Sequence, residues 1–117
     1  MRNLNENISG WRKMVLFVMF DLPTGTRRER RRYTEFRKAL IGEGFIMLQY
    51  SIYIRFCRSL AIAQRFEKKI SRIAPDNGSI RVMKVTEAQY SNILIIENYR
   101  EKPEKKLSEQ TQTLMVF

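Results

Sequence analysis

Residues 14–20 form an unbroken apolar run, Met-Val-Leu-Phe-Val-Met-Phe, that ends on Asp21. A strand that is apolar on both faces is normally central in its sheet and covered on both sides. The run is too short to cross a membrane, and no stretch of the chain approaches about 18 consecutive apolar residues. The sequence therefore predicts a core strand that places one carboxylate, Asp21, at the edge of a sheet.

A dense block of arginines follows this strand. The chain of 117 residues carries 22 Lys and Arg against 12 Asp and Glu, a formal net charge of +10. Arginine binds phosphate oxygens in bidentate fashion, and a positive excess of this size favours a polyanionic partner. We therefore predict contacts to nucleic-acid phosphates. The candidate residues are Arg27, Arg28, Arg30, Arg31, Arg32 and Lys38, with Arg55 and Arg58 as secondary contacts.

Two residue types limit the chemistry. Histidine is absent, so nucleophilic triads, a histidine base and zinc sites of the usual His/Cys type are excluded. Cys57 is the only cysteine, so no internal disulfide can form, and we expect a reducing, cytoplasmic setting. Any catalysis must rest on carboxylates, a metal, or lysine and tyrosine.

The arginine block lies on a predicted helix over residues 27–42. Thr26 is its expected N-cap, with Glu29 as the capping-box partner. The apolar stripe of this helix is Tyr33, Phe36 and Leu40. At 100° per residue, Arg27, Arg31 and Lys38 fall on nearly the opposite side, so the basic residues line a solvated helix surface.

The rest of the chain predicts an α+β domain. The expected elements are strands at residues 45–49 and 52–56, a helix capped by Ser59, a strand at 79–85, a helical turn at 86–90 and a fifth strand at 93–96. This order is the ferredoxin-like βαββαβ pattern with an added strand, which places both helices on one face of the sheet. We expect the other face to be covered by a second copy, packed sheet to sheet as a homodimer.

The chain divides into three segments. Residues 1–13 read as a flexible leader, residues 14–96 as the ferredoxin-like domain, and residues 97–117 as a polar linker. The linker ends in an apolar segment at residues 114–117, for which we expect a role as a docking strand on a neighbouring sheet edge.

Four motifs in order carry a family resemblance: FDLP at residues 20–23, YTEFRK at 33–38, GFIMLQYSIY at 44–53 and VTEAQY at 85–90. This combination closely resembles CRISPR-associated protein two, the small partner of the spacer integrase, and most of all its members from type II systems. The resemblance covers residues 14–96.

The resemblance implies a CRISPR adaptation protein. It implies a homodimer that joins CRISPR integrase dimers and holds double-stranded DNA for spacer integration. It also implies a Mg²⁺-dependent nuclease acting on single-stranded RNA or on DNA, with Asp21 as the metal-binding and catalytic residue and the metal shared across the dimer. From the residues we expect at most weak hydrolysis, because each chain offers a single carboxylate there.

Several alternatives remain open at this stage. Asp21 could cap a turn or pair with an arginine, and the basic helix could be only a solubilising face. Tyr50, Tyr53 and Phe56 could stack on bases, although aromatic residues on short strands more often belong to a core or an interface. The main alternative function is a free-standing metal-dependent endoribonuclease of toxin type. An RNA-recognition module and an acylphosphatase-type enzyme have less support.

Overall fold

The structure, a computed structural model, describes residues 12–98. Its elements are β1 (Met14–Asp21), α1 (Arg27–Gly42), β2 (Ile46–Gln49), β3 (Ile52–Cys57), α2 (Leu60–Ile73), β4 (Ser79–Thr86) and α3 (Glu87–Ser91). Within these residues the strands form one antiparallel sheet in the order β2-β3-β1-β4. The predicted α+β class is confirmed, as is the predicted order of the elements as far as the helical turn at residues 86–90, and the architecture is compatible with a ferredoxin-like fold.

The central position predicted for β1 is confirmed. It pairs with β3 along one edge and with β4 along the other. Leu16 and Val18 are fully buried on the side of the sheet that carries α1 and α2. Val15 and Phe17 are buried on the opposite side, where Tyr90 of α3 packs against Phe17 with 5.9 Å between ring centroids. Both faces of β1 are therefore covered, although the second face has the smaller cluster.

The start of α1 is held by the predicted capping box. Thr26 Oγ1 accepts a hydrogen bond from the Glu29 amide at 3.1 Å, and Glu29 Oε1 accepts one from the Thr26 amide at 3.0 Å. At the other end Gly44 adopts a φ of +92°, and the Phe45 amide donates to the Leu40 carbonyl at 3.0 Å. This is a Schellman-type ending, which turns the chain sharply into β2.

The connection from α2 to β4 brings a glycine against the end of β1. Ser59 caps α2 as predicted, because its Oγ accepts a hydrogen bond from the Ile62 amide at 3.3 Å. After α2, Gly78 adopts a φ of +108° in the turn before β4. A Cβ at Gly78 would lie 2.5 Å from Leu22 Cδ2 and 2.9 Å from the Asp21 carbonyl oxygen. The turn therefore needs glycine both for its conformation and for its close approach to Asp21.

The predicted fifth strand is wrong for the described chain. Residues 93–96 are not in a strand, and the four side chains are 42% to 80% exposed. The Ile93 amide donates to the Tyr90 carbonyl at 3.1 Å, which keeps the start of the run in the turn that ends α3. A strand needs a neighbouring strand, and in the described residues no ladder links this run to the sheet. Apolar composition alone therefore gave the wrong prediction.

The outer segments lie beyond what the structure describes. Residues 1–11 of the predicted leader and residues 99–117 of the linker, including the docking strand at 114–117, are outside the described residues. Among the helices of residues 12–98, none is both long enough and apolar enough to cross a membrane.

We expect Gly78→Ala to destabilise the fold for two reasons. The positive φ at residue 78 is unfavourable for alanine, and the new Cβ would push against Leu22 and the Asp21 backbone. The expected loss in the free energy of unfolding is about 1–3 kcal/mol, measured by urea denaturation. Gly42→Ala is the matched control, since a Cβ there meets nothing within 4 Å. It should be neutral or slightly stabilising. Equal urea midpoints for the two variants would contradict the role given to Gly78.

Candidate nucleic-acid interface

Asp21 lies at the end of β1 on the sheet face opposite α1 and α2. It pairs in register with Ser79 of β4, and its side chain is exposed. It borders a depression with a volume of about 220 Å³. The depression is lined by Met19, Phe20, Asp21, Tyr50, Ser51, Ile52, Ser79 and Arg81. Among residues 12–98, no side-chain hydrogen bond or ion pair engages the Asp21 carboxylate, so neither the turn-cap nor the arginine-pair alternative is found there.

The depression offers few ligands to a metal within one protomer. Residues 12–98 contain no cluster of three or more His, Cys, Asp or Glu side chains that could hold a metal ion. Asp21 supplies one carboxylate, and the Ser79 hydroxyl lines the same depression. Mg²⁺ in proteins keeps several waters and is often bound through one or two carboxylates. The residues therefore fit Mg²⁺ only as a sparse, largely hydrated site.

Four cations on α1 make an exposed patch that we call the basic helix surface: Arg27, Arg28, Arg31 and Lys38. All four are exposed, and no ion pair engages them within the described residues. The nearest acid in sequence, Glu29, has one carboxylate oxygen occupied by the Thr26 amide in the capping box. Local acids therefore leave the charge of this surface largely unneutralised.

The other two arginines of the block make internal contacts. Arg30 donates from one guanidinium nitrogen to the carbonyls of Thr24 at 3.1 Å and Gly25 at 3.3 Å, so it stabilises the loop before α1. Arg32 lies 3.8 Å from Asp76, a carboxylate whose side chain is 92% exposed. An ion pair this exposed contributes little to stability. Arg32 therefore resembles the cations of the basic helix surface.

Arg55 is engaged in packing, whereas Arg58 is exposed. Arg55 Nε donates to the Glu43 carbonyl at 2.8 Å, and its guanidinium lies 4.0 Å from the centre of the Phe66 ring. These contacts tie β3 to the end of α1 and to α2. Cys57, between the two arginines in sequence, is buried, and burial raises the pKa of its thiol. Cys57 therefore acts as a small core residue and not as a nucleophile.

The structure separates the three aromatic candidates. Tyr53 is buried, and Phe56 packs edge-on against Tyr90 with ring centroids 5.5 Å apart. Tyr50 is 78% exposed. The prediction that these aromatic residues belong to a core or an interface is therefore confirmed for Tyr53 and Phe56, which pack in the core, while Tyr50 lies outside the core of the single chain.

Sequence reasoning missed Ser79 and Arg81 at the Asp21 depression. Both come from β4, about 60 residues after Asp21 in the chain, and reach the site through the β1–β4 register. Ile80 and Val82 pack toward the helices, and strand alternation then places Ser79 and Arg81 on the Asp21 face. This alternation was the signal available in the sequence.

The chain is a small basic α+β domain with a strand-end carboxylate on one side of its sheet and a cationic helix on the other. Comparison with family models makes the assignment specific, because residues 14–93 match the family described as CRISPR associated protein Cas2. The chain belongs to the Cas2 family. The resemblance seen in its sequence motifs is thereby confirmed.

Relatives in several bacteria agree with this assignment. A protein of Lacticaseibacillus rhamnosus is 46% identical over 80 residues, which cover 68% of this chain and 79% of the relative. A Flavobacterium psychrophilum protein is 43% identical over 96 residues, or 82% of each chain. A Ligilactobacillus salivarius protein is 40% identical over 98 residues, or 84% of this chain and 97% of the relative. Each is named a CRISPR-associated endoribonuclease Cas2.

The contacts of Arg55 predict that it matters for stability and not for binding. We expect Arg55→Ala to lower the free energy of unfolding by about 2 kcal/mol, because it removes a charged hydrogen bond and a cation–π contact. Arg58→Ala is the control, since Arg58 is exposed one residue beyond β3. It should unfold at the wild-type urea concentration. An unchanged midpoint for Arg55→Ala would show that these contacts are not stabilising.

Proposed function

We propose that this protein is a dimeric DNA-binding scaffold of CRISPR adaptation, which joins integrase dimers and holds duplex DNA during spacer integration. The observation that carries the proposal is the basic helix surface. Arg27, Arg28, Arg31 and Lys38 are exposed and free of ion pairs within the described chain. Cations in this state can contact backbone phosphates without reading base sequence, as a protein that accepts varied DNA requires.

The sheet face opposite α1 and α2 supports the proposed dimer. It carries the smaller core cluster, around which Met19, Ile46, Leu48 and Val85 are only partly buried. Met83, on the same side of β4 as Arg81, is 44% exposed. Apolar residues spread over one sheet face are typical of a surface that packs against another protein. A second copy packed about a two-fold axis would cover this face and bring a second Asp21 to the first.

A weak Mg²⁺-dependent nuclease activity is the second candidate. Two observations favour it: the relatives are named endoribonucleases, and Asp21 is exposed without an internal partner among the described residues. Asp21 of each protomer would hold Mg²⁺, which when bound would polarise a phosphoryl oxygen. Ser79 and Arg81 would orient a phosphate beside Asp21. With one carboxylate per protomer, we propose that the activity is slow and that integration does not depend on it. Single-stranded RNA would be its substrate in the alternative reading as a free-standing endoribonuclease.

The role of the basic helix surface can be tested through salt dependence. We expect the triple variant Arg27→Ala, Arg28→Ala and Arg31→Ala to bind duplex DNA more weakly, with a shallower plot of log affinity against log salt. Each phosphate contact contributes roughly 0.9 to that slope, so it should fall by about two to three if one protomer of the dimer contacts the duplex and by about five if both do. Fluorescence anisotropy at several salt concentrations measures it.

The control for this triple variant removes the same charge elsewhere. Arg65, Lys68 and Arg72 are exposed cations on α2, and their replacement by Ala should change the slope by much less. If the slope of log affinity against log salt decreases equally in both triple variants, binding depends only on net charge. The basic helix surface would then not be the DNA site.

The scaffold and nuclease readings differ in what Asp21→Asn does. We expect this variant to support integration of a short DNA duplex as well as wild type, because a scaffold makes no catalytic use of the Asp21 carboxylate and no contact within the described residues depends on it. An in vitro integration assay with the cognate integrase measures it. Size-exclusion chromatography and duplex binding verify that dimer and DNA contacts persist. If insertion is lost while the dimer and DNA binding are preserved, the metal site is essential for integration.

A further inference from the structure

A cleft lies on the helix side of the domain, between the start of α1 and the turn before β4. Its volume is about 380 Å³, which is within the range of small-molecule sites. Three segments contribute its lining: residues 22–23 after β1, the first two turns of α1, and residues 75–77. We call it the helix-side cleft. It shares no lining residue with the Asp21 depression, so the two are separate features of the surface.

Two arginines form the cationic wall of the helix-side cleft. Arg28 and Arg32 both line it, because residues four apart on a helix lie on the same face. Guanidinium groups bind phosphate oxygens in bidentate fashion. Arg28 makes no ion pair within residues 12–98, and Arg32 has only the exposed Asp76 carboxylate at 3.8 Å. The two side chains can therefore hold one phosphate group.

The acids of the helix-side cleft argue against a bare phosphate ion as its ligand. Glu29 and Asp76 line the cleft together with the two arginines, so two negative charges balance two positive ones. One Glu29 oxygen accepts the Thr26 amide, whereas the Asp76 side chain is 92% exposed and makes only the long contact to Arg32. In dinucleotide-binding proteins, a carboxylate near the phosphate site accepts hydrogen bonds from ribose hydroxyls. Asp76 is placed to do the same for a ligand that carries a sugar.

Apolar side chains complete the helix-side cleft and suit a flat ring. Pro23 lines it from the loop after β1 and Pro75 from the turn before β4, with Leu22 and Tyr33 beside them. Leu22 is buried, and both Leu22 and Tyr33 pack with the helix-side core. Gly78 brings the turn of residues 75–77 close to Leu22, because a Cβ at residue 78 would lie 2.5 Å from Leu22 Cδ2. The two sides of the cleft are therefore held together by packing.

Duplex DNA and a second copy of this chain are poorer occupants. The apolar surface assigned to the dimer lies on the sheet face opposite α1, whereas the helix-side cleft adjoins the core beneath α1. The Glu29 and Asp76 carboxylates would repel a continuous phosphate backbone, which the basic helix surface meets with four cations free of ion pairs. A small ligand with one phosphate fits this balance of charge better.

We propose that the helix-side cleft binds a free ribonucleoside monophosphate. Its phosphate lies on Arg28 and Arg32, its ribose hydroxyls donate to Asp76, and its base packs against Pro23 and Pro75. The cleft is a small-molecule site in addition to the proposed duplex-binding surface, with which it shares only Arg28. Arg32 is therefore the residue whose replacement tests the cleft without removing a member of the basic helix surface.

The test is isothermal titration calorimetry with AMP, GMP, CMP and UMP, and with adenosine, deoxy-AMP and inorganic phosphate for comparison. At least one ribonucleotide should bind, more tightly than its fragments or its deoxy form. Arg32→Ala should weaken that binding roughly ten-fold, and Arg32→Lys should weaken it too, because lysine keeps the charge but cannot bind phosphate in bidentate fashion. Arg31→Ala removes the same charge from α1 outside the cleft, so it should leave nucleotide affinity nearly unchanged. Urea denaturation verifies that each variant is folded.

Several results would overturn this inference. If none of the ribonucleotides binds to wild-type protein, the cleft is not a nucleotide site. Inorganic phosphate or deoxy-AMP binding as tightly as the ribonucleotides would show that the sugar contact to Asp76 is absent. Equal losses in Arg31→Ala and Arg32→Ala would mean that binding follows net charge and not the cleft. Duplex binding, measured separately by fluorescence anisotropy, tests the scaffold proposal independently of all these results.

Discussion

The hydrogen-bonded position of β1 between β3 and β4 is the constraint on which the rest of the structure depends. It makes the central strand apolar on both faces, so each face must be covered. The helices cover one face, and α3 covers part of the other through Tyr90. It also explains why a lone acid ends the strand. Asp21 is the first exposed residue of β1, and its pairing with Ser79 of β4 holds it in a defined place.

Local acids leave most of the charge of the α1 arginines unneutralised, and several nearby acids serve other contacts of the fold. Glu29 satisfies the Thr26 amide at the start of the helix, and Glu43 pairs with Lys69 of α2 at 2.9 Å. Glu67 pairs with Lys84 of β4. These three carboxylates serve capping and inter-element contacts. Glu35, the other acid of α1, makes no ion pair with an arginine among residues 12–98, so the cationic side chains of the helix stay available to phosphates.

Periodicity and capping signals predicted most of the fold, while features that depend on distant pairing were harder to predict. The helix of residues 27–42 and its Thr26–Glu29 capping box follow from local physics, and both were found. Residues 93–96 looked like a strand because they are apolar, but pairing is decided by a neighbour that composition cannot reveal. Arg55 looked like a surface cation, and only the folded chain brings Phe66 and the Glu43 carbonyl to it.

The candidate site likewise combines features that local sequence predicts with features that depend on distant pairing. The sequence alone could place Asp21 at the end of a strand, because a strand end is a local property. Its neighbours Ser79 and Arg81 come from the register of β4, and Tyr50 comes from a turn whose conformation at Ser51 is not encoded by a glycine. A carboxylate, a guanidinium and an exposed ring thus meet where three separate strand ends converge. The pairings of β1 with β3 and β4, together with the close approach of the Gly78 turn to Asp21, determine where these strand ends converge.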